Sequence, residues 1–113
     1  MVDCKTLNLA ANNIRILTAA MVEKAKSGHP GGAMGGADFI NVLYSKFLTY
    51  DPTDPTWINR DRFFLDPGHM SPMLYSVLLL SGKLTMDDIK SFRQWKSRTP
   101  GHPEVGRPRP FLP

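Results

Sequence analysis

The stretch Ser27-Gly28-His29-Pro30-Gly31-Gly32-Ala33-Met34-Gly35-Gly36 lies between two segments with helical periodicity. Five of its ten residues are glycine, which adopts positive φ readily and lets the backbone approach a ligand or another element closely. The composition therefore predicts a tightly folded loop with little side-chain bulk. His29 is the one group in this loop that can exchange protons near neutral pH, so the loop is a candidate site.

All three histidines of the chain follow a glycine, in the pairs Gly28-His29, Gly68-His69 and Gly101-His102. A single loop histidine is most often a solvated spectator, but three in the same local setting indicate a site. Their wide separation in sequence, the absence of a His-x-x-x-His spacing and the single cysteine, Cys4, argue against metal ligation by histidine. We predict no metal ligand among them and interpret Cys4 as a surface thiol near a frayed terminus.

The composition of the 113-residue chain, with 42% hydrophobic residues and a formal net charge of +4, is typical of one globular domain. The sequence has no basic stripe with interleaved aromatic residues that would predict nucleic-acid binding. A mildly basic surface suits a phosphorylated small substrate. The longest apolar run, residues 73–80, is too short to cross a membrane. The lone cysteine and the lack of a signal-peptide pattern predict a cytoplasmic protein.

Apolar periodicity predicts a helix over residues 7–25, capped by Thr6 or Asp3 and ended by Gly28. It predicts a second helix over residues 37–48. The residues that we expect to face inward from the second helix are Ile40, Leu43, Tyr44 and Phe47.

Two prolines break the chain over residues 51–57, where Trp57 is a candidate anchor. The short apolar run at residues 63–65 predicts a buried strand. Ser71 is predicted to cap a third helix that ends before Gly82. A strand, a glycine turn and a helix start form the place where open α/β sheets bind ligands, which singles out His69.

Thr85 begins a capping-box pattern with Asp88 and predicts a fourth helix. The residues that we expect to point inward from this helix are Ile89, Phe92 and Trp95. One strand cannot form a sheet, so the chain is either a small helical unit or a piece of something larger.

Several motifs together closely resemble the N-terminal part of transketolases, in order from about Ala10 to Glu104. They are Ser27-Gly28-His29-Pro30-Gly31, Asp51-Pro52-Thr53-Asp54-Pro55-Thr56-Trp57, Asn59-Arg60-Asp61-Arg62-Phe63, Gly68-His69 with Ser71, Leu74-Tyr75, and Phe92-Arg93-Gln94 through Thr99-Pro100-Gly101-His102-Pro103-Glu104. The resemblance implies an α/β fold class: a helix-rich N-terminal piece of a thiamine-diphosphate-binding fold with a parallel sheet. Residues 1–104 would belong to the cofactor-diphosphate domain, and residues 105–113 form a Pro/Arg tail that does not match the family's pattern.

Transketolases use thiamine diphosphate and Mg²⁺ to transfer a two-carbon ketol unit between phosphorylated sugars in the pentose phosphate pathway. The resemblance implies that His29, His69 and His102 line the substrate channel. His69 and His102 are the candidate catalytic residues, His69 is also the candidate cofactor contact, and His29 is the candidate substrate-binding residue. The division of roles among the three stays open. A homodimer or an association with the missing domains is expected.

The chain lacks the family's cofactor-binding glycine segment, its Gly-Asp-Gly metal motif and the domain that supplies the activating glutamate. We therefore expect a truncated fragment that is not active alone, and the tail is what a frameshift or premature end would leave. Deoxyxylulose-phosphate synthases and split transketolases share parts of the pattern. The alternative from another functional class is a non-catalytic dimerisation or binding module that pairs with a full-length homologue. A further alternative is that the Pro/Arg tail is a peptide ligand.

Overall fold

The structure is a computed structural model that describes residues 3–104. Five α-helices occur within this range: α1 (Cys4–Ala25), α2 (Pro30–Gly35), α3 (Ala37–Val42), α4 (Ser71–Leu80) and α5 (Met86–Lys90). A π-helical turn, Leu43–Phe47, continues α3, and a 3₁₀ turn, Gly68–Met70, precedes α4. The predicted Pro/Arg tail lies outside the described residues.

Helix α1 is the long element against which α2, α3 and α4 pack. Its capping residue is Asp3, whose side chain accepts a hydrogen bond from the Thr6 backbone N–H at 2.7 Å. The helix ends at Lys26, which has a left-handed conformation, two residues before the predicted stop at Gly28. Ile14 and Met21 lie in the core as predicted, and Thr18 is fully buried beside them. The predicted first helix is thus confirmed, but it begins at Cys4 and its C-cap is Lys26.

The glycine-rich stretch is not the loop that its composition predicts, because residues 30–35 form helix α2. Pro30 occupies its first position, where the missing N–H is not needed. The glycines permit a close approach: a methyl group on Gly32 would lie 3.1 Å from Met70 Cγ. The stretch therefore serves as a thin helical layer between α1 and the start of α4.

The predicted second helix is confirmed over residues 37–47, but it changes from α-helical to π-helical geometry after Val42. Ile40 and Tyr44 are buried as expected. Phe47 is 71% exposed, so the prediction that it faces inward is wrong. The π-turn closes with an i→i+5 hydrogen bond from the Leu48 N–H to the Leu43 carbonyl at 2.9 Å, so its residues depart from the 3.6-residue spacing on which the inward position of Phe47 is predicted.

The buried strand predicted at residues 63–65 is not present, and the structure contains no strand within residues 3–104. Phe64 is 77% exposed, whereas Phe63 is half-buried against Tyr44. A strand needs a neighbour to satisfy its backbone N–H and C=O groups, and none of the described residues supplies one. The predicted parallel sheet therefore has no counterpart in this part of the chain.

Helix α4 lies at the centre of the fold, and all of its residues from Ser71 to Leu78 are buried. Helix α5 begins at Thr85 with the predicted capping box, in which the Thr85 hydroxyl and the Asp88 carboxylate each bond the other's backbone N–H. Ile89 and Phe92 are buried as predicted. The inward position predicted for Trp95 is wrong, since its side chain is 90% exposed in the turns that follow α5.

No helix among the described residues is both long enough and apolar enough to cross a membrane.

Candidate active site: three histidine turns at the start of helix α4

The first two glycine–histidine pairs meet in front of helix α4. His29 is the residue that precedes α2, and its extended backbone turns the chain into that helix. His69 lies in the 3₁₀ turn that leads into α4. The centroids of the two imidazole rings are 4.9 Å apart, with the ring planes tilted by 55°. The fold thus brings together two of the side chains singled out in the sequence.

The third histidine packs onto the backbone beside the second. A methyl group on Gly68 would lie 3.3 Å from both Cγ and Nδ1 of His102, so the imidazole ring of His102 rests on the α-carbon of Gly68. His69 is half-buried, whereas His29 and His102 are exposed. The His29 and His69 rings are therefore neighbours, and the His102 ring packs on the residue that precedes His69.

The turn that carries His102 is fixed by buried side chains. The Ser71 hydroxyl donates a hydrogen bond to the Gly101 carbonyl at 2.5 Å, and the Tyr75 hydroxyl donates one to the Pro100 carbonyl at 2.7 Å. From the other end, the Thr99 hydroxyl donates to the Asp88 carbonyl at 2.7 Å. All three donors are at most 4% exposed. Helices α4 and α5 thus hold the backbone on both sides of this turn.

Burial has a consequence for the tyrosine in this arrangement. It raises the pKa of Tyr75 well above its ordinary value, and the nearby Glu104 carboxylate raises that pKa further. The side chain stays a neutral hydroxyl donor throughout the neutral range. The pKa of Tyr44, elsewhere in the core, is also raised by burial and by Tyr50, but its hydroxyl has no hydrogen-bond partner among the described residues.

Sequence reasoning missed two of the residues that organise this region. Ser71 was expected to cap α4, but Met70 precedes the helix and the Ser71 hydroxyl instead binds the Gly101 carbonyl. Arg93 belongs to the motif Phe92-Arg93-Gln94, but the sequence does not predict its contact: its Nη1 donates to the Ser27 hydroxyl at 2.6 Å. Both contacts join residues that are far apart in the sequence, so local patterns carry no signal for them.

His102 also lines an open cleft of about 810 Å³. The cleft runs along the turns after α5, and neither His29 nor His69 is among its lining residues. Its polar lining includes Arg93, Lys96 and Glu104. This cleft is therefore a neighbour of the histidine cluster and not its centre.

The histidine cluster could hydrogen-bond the organic part of the cofactor that the resemblance implies, but the described residues provide no site for the metal ion that accompanies it. Imidazoles both donate and accept hydrogen bonds, so the cluster can contact hydroxyl and carbonyl groups of an organic ligand. The described residues contain no group of three or more His, Cys, Asp or Glu placed to hold a metal ion. A magnesium-bound diphosphate requires oxygen ligands that residues 3–104 do not assemble.

Comparison with known proteins identifies the family. Residues 6–110 match the family described as transketolase, thiamine diphosphate binding domain. This match extends past Glu104, so the boundary predicted there stays a prediction. The transketolase of Geobacillus stearothermophilus is 56% identical over 99 residues, which cover 87% of this chain and 15% of that protein.

Solved transketolase structures also superpose closely on this chain. The crystal structure of transketolase from Campylobacter jejuni superposes with a TM-score of 0.88 at 50% identity, covering 94% of this chain and 17% of that one. A Pichia stipitis transketolase solved in complex with sedoheptulose 7-phosphate superposes with a TM-score of 0.85 at 45% identity, covering 89% of this chain and 15% of that one. The present chain thus spans about one seventh of the length of these relatives. It belongs to the transketolase family, in the thiamine diphosphate binding domain.

Proposed function

We propose that this chain supplies the substrate-channel histidines for ketol transfer between phosphorylated sugars, and that it does so only when the rest of a transketolase is present. The observation that carries the proposal is the convergence of His29, His69 and His102 at the start of helix α4. A relative with the same fold over this region has been solved with a sugar phosphate bound. The reaction would serve the pentose phosphate pathway in the cytoplasm.

The resemblance to transketolases implies a role for each histidine. His69, which follows Gly68, and His102, whose ring packs on Gly68, would contact the reacting carbonyl and hydroxyl groups and exchange protons there. His69, the half-buried member, would also contact the cofactor, whereas the exposed His29 would bind a substrate hydroxyl. When bound, thiamine diphosphate supplies the nucleophilic thiazolium carbon.

The remaining parts of the site would come from outside the described residues. The Mg²⁺ ligands and the backbone that holds the diphosphate would follow later in a complete transketolase chain, because residues 3–104 contain no suitable cluster of ligands. The run at residues 63–65 would become an edge of the parallel sheet once neighbouring strands are present. Assembly with those parts, or as a homodimer, would enclose the three histidines.

A direct test replaces the matching segment of the Geobacillus stearothermophilus transketolase with residues 10–104 of this chain. We expect the chimera to transfer ketol units with thiamine diphosphate and Mg²⁺. In the chimera, His69→Ala and His102→Ala should each lower kcat by about 100-fold or more, as loss of a general acid–base does. The purified 113-residue chain should show no transfer under the same conditions.

Three results would contradict the proposal. An inactive chimera that folds and binds the cofactor would show that these residues do not substitute for the family's segment. Full activity in the histidine variants would remove their assigned roles. Ketol transfer by the isolated chain would show that the missing parts are not required.

A second candidate function is that of a non-catalytic module that pairs with itself or with a full-length homologue. The observation that favours it is the exposure of large apolar side chains on one side of α3 and its π-turn, where Phe39 is 62% and Phe47 is 71% exposed. Size-exclusion chromatography with light scattering distinguishes the two ideas. A defined dimer that dissociates when Phe47→Asp is introduced would support the non-catalytic module, whereas a monomer at high concentration would count against it.

A further inference from the structure

We propose that Arg93 is a positioning residue that sets the distance between the His29 turn and the His102 turn. This inference rests on the proposed function, because it assumes that the histidines act on one substrate. The contacts of Arg93 are with Ser27 and Gly101, which stand just before the Gly28-His29 pair and within the Gly101-His102 pair.

The backbone of Arg93 aims its side chain at these two turns. Arg93 has a φ of 61°, in the left-handed region that few residues other than glycine adopt. Its N–H donates a hydrogen bond to the Thr99 carbonyl at 3.0 Å, which closes the segment between α5 and the His102 turn into a loop. A non-glycine residue in this region of φ is held there by its surroundings, and such residues cluster at functional sites.

The guanidinium group then occupies the space between the two turns. Its Nη1 donates to the Ser27 hydroxyl at 2.6 Å. Its other face packs on Gly101 so closely that a methyl group there would lie 2.7 Å from Nε and 2.9 Å from Nη2. Only a glycine can stand at position 101 while the guanidinium keeps this place. A planar group is well suited to such a gap, and a lysine ammonium could not fill it in the same way.

Phe92 packs against both the Arg93 guanidinium and the His29 turn. Its buried ring lies under the guanidinium, with Arg93 Cζ 5.9 Å from the ring centroid. The same ring would lie 3.4 Å from a methyl group on Gly28. Phe92 and Arg93 together therefore contact the residue before His29 and the residue before His102. On its other side the His102 turn is held by α4, so a change at Arg93 would alter its distance from the His29 turn.

The first test is made on the full 113-residue chain by NMR spectroscopy. In the wild-type chain we expect nuclear Overhauser contacts between the His102 ring and the Gly68 α-protons, and between the His29 and His69 rings. Arg93→Ala should weaken the contact between the His29 and His69 rings, because Ser71 and Tyr75 still hold the His102 turn on α4 while the His29 turn loses its hydrogen bond to Arg93. Guanidinium ion at millimolar concentration should restore this contact by occupying the vacated gap. Lys96→Ala is the matched control, because Lys96 lines the same cleft with an exposed side chain.

The second test measures kinetics in the chimera described above. We expect Arg93→Lys to lower kcat by about 10-fold to 100-fold with little change in KM, as a small misplacement of catalytic groups does. Gly101→Ala should have a similar effect because its methyl group would displace the guanidinium, and the two substitutions combined should cost less than their product. Guanidinium should rescue Arg93→Ala, whereas sodium chloride at equal concentration should not.

The outcomes separate this inference from the proposed function. If the unsubstituted chimera is inactive, the proposed function fails, and the NMR contacts in the 113-residue chain still decide whether Arg93 positions the His29 turn relative to the His102 turn. If the chimera is active, unchanged kinetics in Arg93→Lys and Gly101→Ala would overturn the positioning role alone. An equal loss in Lys96→Ala, or the absence of guanidinium rescue in both assays, would also overturn it. Should Arg93→Ala fail to fold, Arg93→Lys is used for the NMR contacts.

Discussion

Two buried tyrosines allow the same chemical change to be made with opposite expected results. The Tyr75 hydroxyl donates to the Pro100 carbonyl at 2.7 Å, while the Tyr44 hydroxyl has no partner among the described residues. Tyr75→Phe removes one hydrogen bond and leaves a half-buried carbonyl without that donor, which should lower the free energy of unfolding by about 1 to 2 kcal/mol. Tyr44→Phe removes a buried polar group that bonds to nothing, so it should be neutral or stabilising by up to about 1 kcal/mol.

Urea denaturation followed by circular dichroism measures both effects. With an m-value of about 1 to 2 kcal/mol/M for a chain of this size, Tyr75→Phe should lower the midpoint by roughly 1 M, whereas Tyr44→Phe should leave it unchanged or raise it. The two side chains are similarly buried, at 4% and 6% exposure, so each serves as the control for the other. Because Phe fills almost the same volume as Tyr, cavity formation does not contribute.

The reasoning would be refuted if both substitutions shifted the midpoint equally, or if Tyr44→Phe destabilised the protein more than Tyr75→Phe. A wild-type chain that unfolds without a cooperative transition would refute it too, since the hydrogen bonds would then not belong to one packed structure.

Three further predictions follow from individual residues. Burial raises the pKa of both Tyr75 and Tyr44, so ionisation of either tyrosine favours the unfolded chain. The contribution of the two tyrosines to the free energy of unfolding is therefore intact below about pH 10. Above about pH 10 it falls by up to about 1.4 kcal/mol per pH unit for each tyrosine. Denaturation at a series of alkaline pH values should show a shallower decline in either phenylalanine variant, and an unchanged slope would contradict this. Gly28 has a φ of 132°, and a methyl group on it would lie 3.1 Å from Val22, so Gly28→Ala should destabilise the protein by about 1 to 2 kcal/mol. The control is Gly35→Ala, which should be neutral or stabilising because a methyl group at Gly35 meets open space. Thr85→Ala removes the cap of α5 and should cost about 1 kcal/mol in the same denaturation assay, and a loss below about 0.3 kcal/mol would show that the capping box does not stabilise the helix.

Local signals in the sequence were sufficient for most of the helices. Apolar residues spaced three and four apart predicted the buried face of α1. The capping pair Thr85 and Asp88 predicted where α5 begins. These patterns work because the interactions that they describe lie within one or two turns of a helix. The resemblance to transketolases also came from the sequence alone, and the family match over residues 6–110 confirms it.

Predictions that depended on distant neighbours were the ones that failed. Residues 63–65 have the composition of a strand, but a strand forms only beside another, and none lies within the described residues. Trp95 has the helical spacing of a core residue, yet α5 ends at Lys90 and leaves it exposed. The glycine-rich stretch became a helix because α1 and α4 pack against it on both sides.

The sequence by itself determined which residues are the candidates for chemistry in this protein, because an imidazole is recognisable wherever it stands. Only the tertiary structure decided that the rings of His29 and His69 lie 4.9 Å apart and that His102 rests on Gly68. The side chains of Ser71, Tyr75 and Arg93 hydrogen-bond to the turns that carry His102 and His29, through contacts across 25 to 66 residues of chain. Contacts of that range leave no local pattern, since they exist only once the helices have packed.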